Sequence, residues 1–323
     1  MRNSKKTIIN AQDLTHLFPE HSTIIVGLSG GPDSVCLLDL MVRIQKTVPL
    51  TIIAAHLDHG WRPESGNDAI WCQNLCKQYN IPYISAHAKS LDYQPTYNGS
   101  KEEVGRKLRR YFFNEVAQQH NAQYIALAHH QDDIIENFFI RLLRGSSLAG
   151  ISGMKTVDGL YVRPLLNYTK QDILNYLTTH NLKYLTDATN MSDAYLRNRI
   201  RKYMPPALDT IDDRWQQNIP AFMHHAQQIH EYMQKAAYDY LTHVQSPTNQ
   251  NSYNINLFLS APKVLQDYIF MELITRHTLS IHPSQSVFKE IIRFLKSQKS
   301  NQHMINVHNR IMKKNGYFYF EML

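Results

Sequence analysis

The sequence predicts an α/β fold, a doubly wound parallel sheet followed by a smaller C-terminal α+β domain. Three observations predict it: short β-branched runs alternate with segments of helical period, a glycine turn ends the first run, and a polar, turn-rich stretch precedes a mixed set of elements near the C-terminus. Strands separated by helices pair in parallel, because a right-handed crossover packs the helix back onto the sheet.

Thr23 to Leu28 is the first strand, stopped by Ser29-Gly-Gly-Pro, and Val35 to Ile44 carries apolar residues at helical spacing. The alternation continues with strands over Thr51 to Leu57, Tyr83 to His87 and Tyr124 to Ala128, and helices over Glu64 to Tyr79, Lys101 to His120 and Asp132 to Leu143. Thr169 is positioned to cap a helix over Lys170 to His180. Ile211 to Val244 reads as a long helical stretch whose stripe Phe222, Ala226, Ile229, Met233, Ala237, Tyr240 and Val244 packs on a core, broken or restarted near Pro220. After the loop Ser246 to Ser252 come a strand over Tyr253 to Leu257, helices near Pro262 to His277 and Ser284 to Lys296, and two strands turning at Asn315-Gly316. The expected division is a catalytic domain over 1–210 and a linker helix plus C-terminal domain over 211–323.

The chain has 323 residues, 43% of them hydrophobic and 19% charged, which suits a globular protein and excludes a disordered one. No run of eighteen apolar residues and no signal-peptide pattern is present, so the expectation is a soluble, cytoplasmic protein with no membrane partner. Cys36, Cys72 and Cys76 are too few and too clustered for a disulfide framework, and Cys72 and Cys76, four apart on a helix, are read as core. A formal charge of +7 with 17 histidines favours a polyanionic partner.

Ser29-Gly-Gly-Pro-Asp-Ser34 lies between the first strand and its helix, where backbone N–H groups and the positive helix end favour an anion. Gly30 and Gly31 let the backbone approach phosphate, Ser29 and Ser34 offer hydroxyls, and Asp33 is the candidate Mg²⁺ ligand. Two glycines alone are as often a tight turn. No Gly-x-x-x-x-Gly-Lys-Ser/Thr string is present, so kinase-type transfer is disfavoured. The loop resembles the SGGxDS string of the ATP-pyrophosphatase superfamily, whose members cleave ATP between the α- and β-phosphates and leave AMP on the substrate.

Seven further segments choose within that superfamily. His56-Leu-Asp-His-Gly-Trp-Arg-Pro-Glu-Ser65 follows the second strand, at the edge where open α/β sheets bind ligands. Glu102, Arg106 and Arg109 share a face of the helix from Lys101, a pattern that is otherwise a row of solvated pairs. Ala128-His-His-Gln-Asp-Asp-Ile-Ile-Glu136 opens a helix on which Asp133 and Glu136 share a face, although Asp132 or Asp133 can simply cap it. Arg144 to Met154 reads by itself as a loop, and Arg163-Pro-Leu-Leu166, Asp187 to Asn190 and Tyr195 to Arg201 complete the series. In this order the segments resemble the tRNA(Ile)-lysidine synthetase family, with Asn137 and Thr189 standing where the family more often has Thr and Ser.

The resemblance implies a ligase that uses ATP and Mg²⁺ to join free L-lysine to C2 of the wobble cytidine of a tRNA(Ile) with a CAU anticodon, through an adenylated intermediate. It implies ATP binding by Ser29, Gly30, Gly31, Pro32, Asp33, Ser34, His56 and Asp58, with Asp33 on the metal. It implies catalytic roles for Asp33, Arg106, Arg109, Asp133 and Glu136, and a tRNA-phosphate edge of Arg197, Arg199, Arg201 and Lys202. The family often dimerises, and its long members carry a further C-terminal module that this sequence does not show. Two rival readings stand beside it: a tRNA thiolase of the same superfamily, which commonly needs a C-x-x-C pair not found here, and a non-catalytic nucleotide-binding regulator of RNA, which has less need of acids and bases at strand ends.

Overall fold

A computed structural model describes residues 8–62, 65–95, 101–186, 196–279, 281 and 284–323. They form two compact units, Met1–Ser146 with Gly153–Met223 and Ser147–Ser152 with His224–Leu323. Among the described residues no helix is long and apolar enough to cross a membrane.

In the first unit β1 (Thr23–Gly27), β2 (Thr51–Asp58), β3 (Tyr83–His87), β4 (Tyr124–Ala126), β5 (Val157–Asp158) and β6 (Tyr161–Val162) form one sheet in the order β3-β2-β1-β4-β6-β5. All neighbours are parallel except β5 and β6. β1 is buried on both faces, which is why it is continuously apolar instead of alternating. Its Ile24 and Val26 pack on α1 (Pro32–Gln45), α2 (Ser65–Gln78) and α6 (Lys170–Thr179), while Ile25 packs on α3 (Lys101–Gln119). Burying each such side chain contributes about 1.5–3 kcal/mol. Cys72 and Cys76 lie inside the first of these cores, as their helical spacing predicts, and Cys36 lies there with them.

Buried Asp39 ties α1 to its neighbours, accepting from Tyr79 Oη at 2.9 Å, Tyr176 Oη at 2.6 Å and Arg43 Nε at 2.7 Å. α4 (Gln131–Leu143) follows β4, and α7 (Leu196–Ile211) packs against it. Strands two and three are added on one side of β1 and strand four on the other. The crevice between the C-terminal ends of β1 and β4 is therefore the topological switch point of the sheet.

Several sequence expectations change. The break in the late helical stretch falls between Ile211 and Trp215, where Asp212 Oδ1 accepts the Arg214 N–H at 2.9 Å, and Pro220 lies inside α8 (Trp215–Val244). α7, not anticipated as a helix, holds Pro205 and Pro206; apolar Ile200, Met204 and Leu208 recur on its packed face and outweigh the lost hydrogen bonds. The Arg144 to Met154 segment contains a helical turn, α5 (Leu148–Ile151).

In the second unit β7 (Ser252–Asn254), β8 (Gln302–Met304), β9 (Asn309–Lys314) and β10 (Tyr317–Met322) form an antiparallel sheet in the order β7-β10-β9-β8. α9 (Ile255–Ser260), α10 (Lys263–Arg276) and α11 (Gln285–Lys296) join it around Tyr253, Phe258, Ile269, Leu273 and Phe318. The strand expected to run to Leu257 ends at Asn254, whose Oδ1 accepts the Leu257 N–H at 3.0 Å and starts α9. Asn315 and Gly316, with φ of 52° and 80°, make the two-residue turn that the Asn-Gly pair predicts.

Candidate active site

The loop between β1 and α1 is folded around its own hydroxyls. Ser34 Oγ accepts the Ser29 N–H at 3.1 Å, donates to Gly31 O at 3.0 Å and lies 3.2 Å from Ser29 Oγ. Gly30 has φ of 82°, and a Cβ there would come within 2.7 Å of Leu185 Cδ1, so only glycine fits. Gly31 caps α1 and Pro32 is its first residue, which needs no donor there and fixes the helix start under the loop.

The loop after β4 meets it across the switch point. Asp33 Oδ2 lies 3.8 Å from His130 Nε2, and His130 also lies 3.3 Å from Asp132 and 3.6 Å from Asp133. The two acids that could both cap α4 divide the work. Asp133 Oδ2 accepts the His130 N–H at 3.1 Å at the start of α4, whereas Asp132 Oδ2 accepts the Lys170 N–H at 2.8 Å at the start of α6. Thr169 caps α6, with Oγ1 accepting the Asp172 N–H at 3.1 Å. Lys170 Nζ reaches back to Asp33 Oδ1 at 2.5 Å.

Ser29, Gly31, Pro32, Asp33, Asp133, Glu136 and Arg201 line one cavity of about 630 Å³. Glu136 is buried and forked by Arg201 Nε at 2.6 Å and Nη2 at 2.9 Å. Burial pushes the Glu136 carboxyl up and the Arg201 fork pulls it back. Asp133 goes the other way: although burial opposes ionisation, His130, His129 and the His130 N–H hold its carboxyl below the usual range. Arg197 donates to Asn137 Oδ1 at 3.1 Å, and Arg199 and Lys202 are exposed. The four basic residues of α7 thus divide by helical phase, 197 and 201 facing α4 and 199 and 202 turned away.

His56 and Asp58 end β2 outside the cavity lining. His56 Nδ1 lies 2.9 Å from Leu28 O, and Asp58 accepts the Gly60 N–H at 2.8 Å. Arg62 and Asp68, paired at 2.7 Å, line the cavity in their stead. Arg106 and Arg109 are exposed on α3 near His59 and His129 and are not among the lining residues. Trp61 stacks on His59 at 4.5 Å, in space that Gly105 leaves open: a Cβ there would come within 2.6 Å of the indole. Pro63, Glu64 and the segment from Asp187 to Tyr195 lie outside the described residues. Lys170, Met204, Leu208 and Trp215 are also among the lining residues without having been singled out in the sequence. The Thr169 cap, read with its side-chain reach, and the 200, 204, 208 apolar spacing were the signals for the first three.

Burial, with Arg109 adding repulsion, lowers His59 from 6.5 to about 4, and burial likewise lowers His129 to about 4. Both are neutral in the folded chain and charge in the unfolded one. Stability contributed by their burial is present above pH 6.5 and is lost as pH falls toward about 4, at about 1.4 kcal/mol per pH unit for each proton taken up. His130 has the opposite sign: burial opposes its charge, but Asp132, Asp133 and Asp33 raise it, so its contribution is lost as pH rises through the raised value. Urea midpoints across this window should fall with acidification, and His59→Gln should flatten the fall. An unchanged slope in that variant would show that His59 is not buried neutral.

The model of the PP-loop domain family matches residues 3–208. The tRNA(Ile)-lysidine synthase of Bacillus cereus (strain ATCC 10987 / NRS 248) is 32% identical over 294 residues, 86% of this chain and 60% of that protein. The enzyme of the same name from Petrotoga mobilis is 34% identical over 203 residues, 63% of this chain and 65% of that protein. The chain spans about 60% of the length of the Bacillus relatives it matches. The U34-tRNA thiolase NcsA from Methanococcus maripaludis, with its [4Fe-4S] cluster, has a TM-score of 0.57 at 18% identity, covering 68% of this chain and 78% of that one; the two share the fold.

Proposed function

The chain belongs to the PP-loop domain family, and from that premise we propose that it joins free L-lysine to C2 of the wobble cytidine in the CAU anticodon of a tRNA(Ile), consuming ATP and giving lysidine, AMP and diphosphate. The observation that carries this reading is the single cavity in which the phosphate loop meets the acidic pair Asp133 and Glu136. A nucleotide phosphate suits the loop, because it opens onto the start of α1, where no side chain caps the helix and the first N–H groups lack intrahelical partners, and the Ser29 and Ser34 hydroxyls face one another there. Asp33 would hold Mg²⁺, which supplies positive charge to phosphate oxygens when bound.

The cytidine O2 attacks the α-phosphorus, and the electron pair of the broken P–O bond leaves with diphosphate. The lysine ε-amine then displaces AMP from C2 and must lose a proton. His129, held neutral by burial and with Nδ1 buried and lacking a hydrogen-bond partner, and Asp133, held ionised, are the candidate bases. Asp133 and Glu136 offer negative charge to the lysine ammonium groups. Residues 1–210 carry this chemistry, and 211–323 are assigned to tRNA binding. Cys36, Cys72 and Cys76 do not favour the thiolase reading: burial pushes Cys72 and Cys76 up to about 12 and leaves neutral thiols instead of ligating thiolates.

Incubation with ATP, Mg²⁺, labelled lysine and bulk tRNA should move label onto tRNA with one AMP formed; production of ADP would sink the reading. Arg199→Ala and Lys202→Ala should weaken tRNA binding and each reduce the slope of log K against log salt by about 0.9 per lost phosphate contact. An unchanged slope would remove these two residues from the tRNA edge.

A further inference from the structure

The chain between β2 and α2 is folded so that two of its rings lie flat on one another. β2 ends at Asp58, whose Oδ1 accepts the Gly60 N–H at 2.8 Å, and Gly60 takes up the left-handed region with φ of 62°. Across that turn the Trp61 indole stacks on the His59 imidazole, with centroids 4.5 Å apart and 19° between the ring planes. α3 leaves a notch for both at Gly105, where a Cβ would come within 2.6 Å of Trp61 Cη2 and 3.3 Å of His59 Cε1. Both His59 nitrogens are buried and lack hydrogen-bond partners among the described residues, so polar bonding does not hold this ring in place. What it supplies is a flat support under the indole. We propose that the Trp61 indole, backed by His59 and seated in the Gly105 notch, is a stacking platform for an unpaired RNA base next to the cytidine being modified. This rests on the RNA-modifying reading above and names a residue that grips the substrate beside the reacting base.

Three observations point to a base. Trp61 is 49% exposed even though it is stacked, so a large part of the indole still faces water. An open aromatic face of this kind accepts any base, because every base has a π-face of its own. The second observation is position. Arg62, the next residue, lines the cavity that holds the phosphate loop, so the indole stands at the rim of that cavity and at the C-terminal edge of the sheet. When one base of a strand enters the cavity, its neighbour in the strand is left at the rim. The third is charge. Arg109, one helical turn on from Gly105, is exposed and close enough to His59 to disfavour a proton there, and Arg106 joins it in doing the same to His129. Asp58 and Asp133 are the acids that face these two rings. Backbone phosphates on either side of a stacked base would meet the two guanidinium groups.

The test uses the whole chain and a hairpin RNA whose loop carries CAU, with a duplex of the same stem as the second probe. Affinities of wild type, Trp61→Leu, Trp61→Phe and Gly105→Ala are measured over a range of salt, and urea unfolding of each is recorded. Leucine keeps an apolar contact with His59 but offers no ring. Trp61→Leu should therefore weaken hairpin binding about fivefold to 150-fold, the range for loss of one stacked base. Trp61→Phe should keep most of the affinity, and duplex binding should be the same in all four proteins. Stacking releases no counterions, so the slope of log K against log salt should be the wild-type slope in Trp61→Leu. The urea midpoint of that variant should move little, since the indole is half exposed. Gly105→Ala fills the notch from the opposite side and should lose hairpin affinity as Trp61→Leu does, although alanine favours the helix itself. Equal hairpin affinity in Trp61→Leu and in a wild type that moves label onto tRNA would overturn the platform alone. An equal loss on hairpin and duplex would assign Trp61 to packing and overturn it as well. A wild type that neither binds the hairpin nor forms AMP would overturn the RNA-modifying reading, and the platform with it.

Discussion

Asp33→Ala is expected to lower pyrophosphate release by on the order of 10²–10³, the loss typical of removing one preorganised group from a charge-developing centre, while the fold stays intact. The second half of that expectation follows from exposure. Asp33 meets Lys170 at 2.5 Å and His130 at 3.8 Å, but it sits in the first turn of α1 with about a third of its side chain in water. Removing it should cost at most about 1 kcal/mol of stability. Measurement of AMP and diphosphate together with a urea titration separates the two effects. Turnover near the original rate in a folded variant would show that the carboxylate is not the metal ligand.

Arg201→Ala should be the most damaging change at the acidic wall. It leaves Glu136, whose side chain is 6% exposed and whose carboxyl burial already pushes up, to the longer contact with Arg197 Nε at 3.4 Å. Breaking a fully buried pair costs about 3–5 kcal/mol; because Arg201 is itself 44% exposed, the expected loss here is about 1–3 kcal/mol. Glu136→Gln in the Arg201→Ala background should recover part of that loss, since the amide needs no counter-charge. Urea midpoints of the two single variants and the double variant close the cycle. Additive effects would mean the fork at 2.6 and 2.9 Å contributes nothing as a pair.

What the sequence made legible followed period and punctuation. The β-branched run at Thr23 and the glycines after it located β1, its loop and α1, and through them the switch point of the sheet. The Asp133 and Glu136 spacing placed both acids in one cavity. Long-range pairings were not legible, because nothing local marks that Lys170 meets Asp33 or that Arg201 meets Glu136, 65 positions earlier. Arg201 read as one of four surface cations because no helix was anticipated there to set its phase; α7 holds Pro205 and Pro206, which a helix interior disfavours. His56 and Asp58 shared a motif with Arg62, yet only the last lines the cavity, since the strand ends at Asp58 and the chain turns at Gly60.

The crossing of Asp33 by Lys170 also constrains how the protein is made. At the usual elongation rate of about 5–20 residues per second, the 137 positions between them take roughly 7–27 s to emerge from a ribosome. For most of that interval the nascent chain holds a half-finished sheet, with β1 still lacking β4 on one edge, and throughout it α6 is absent from the apolar face that α1 presents. Slow, nonlocal closure of this kind is where chaperones bind and where strand edges aggregate, so yield should depend more on translation speed and chaperone supply than on the stability of the finished protein.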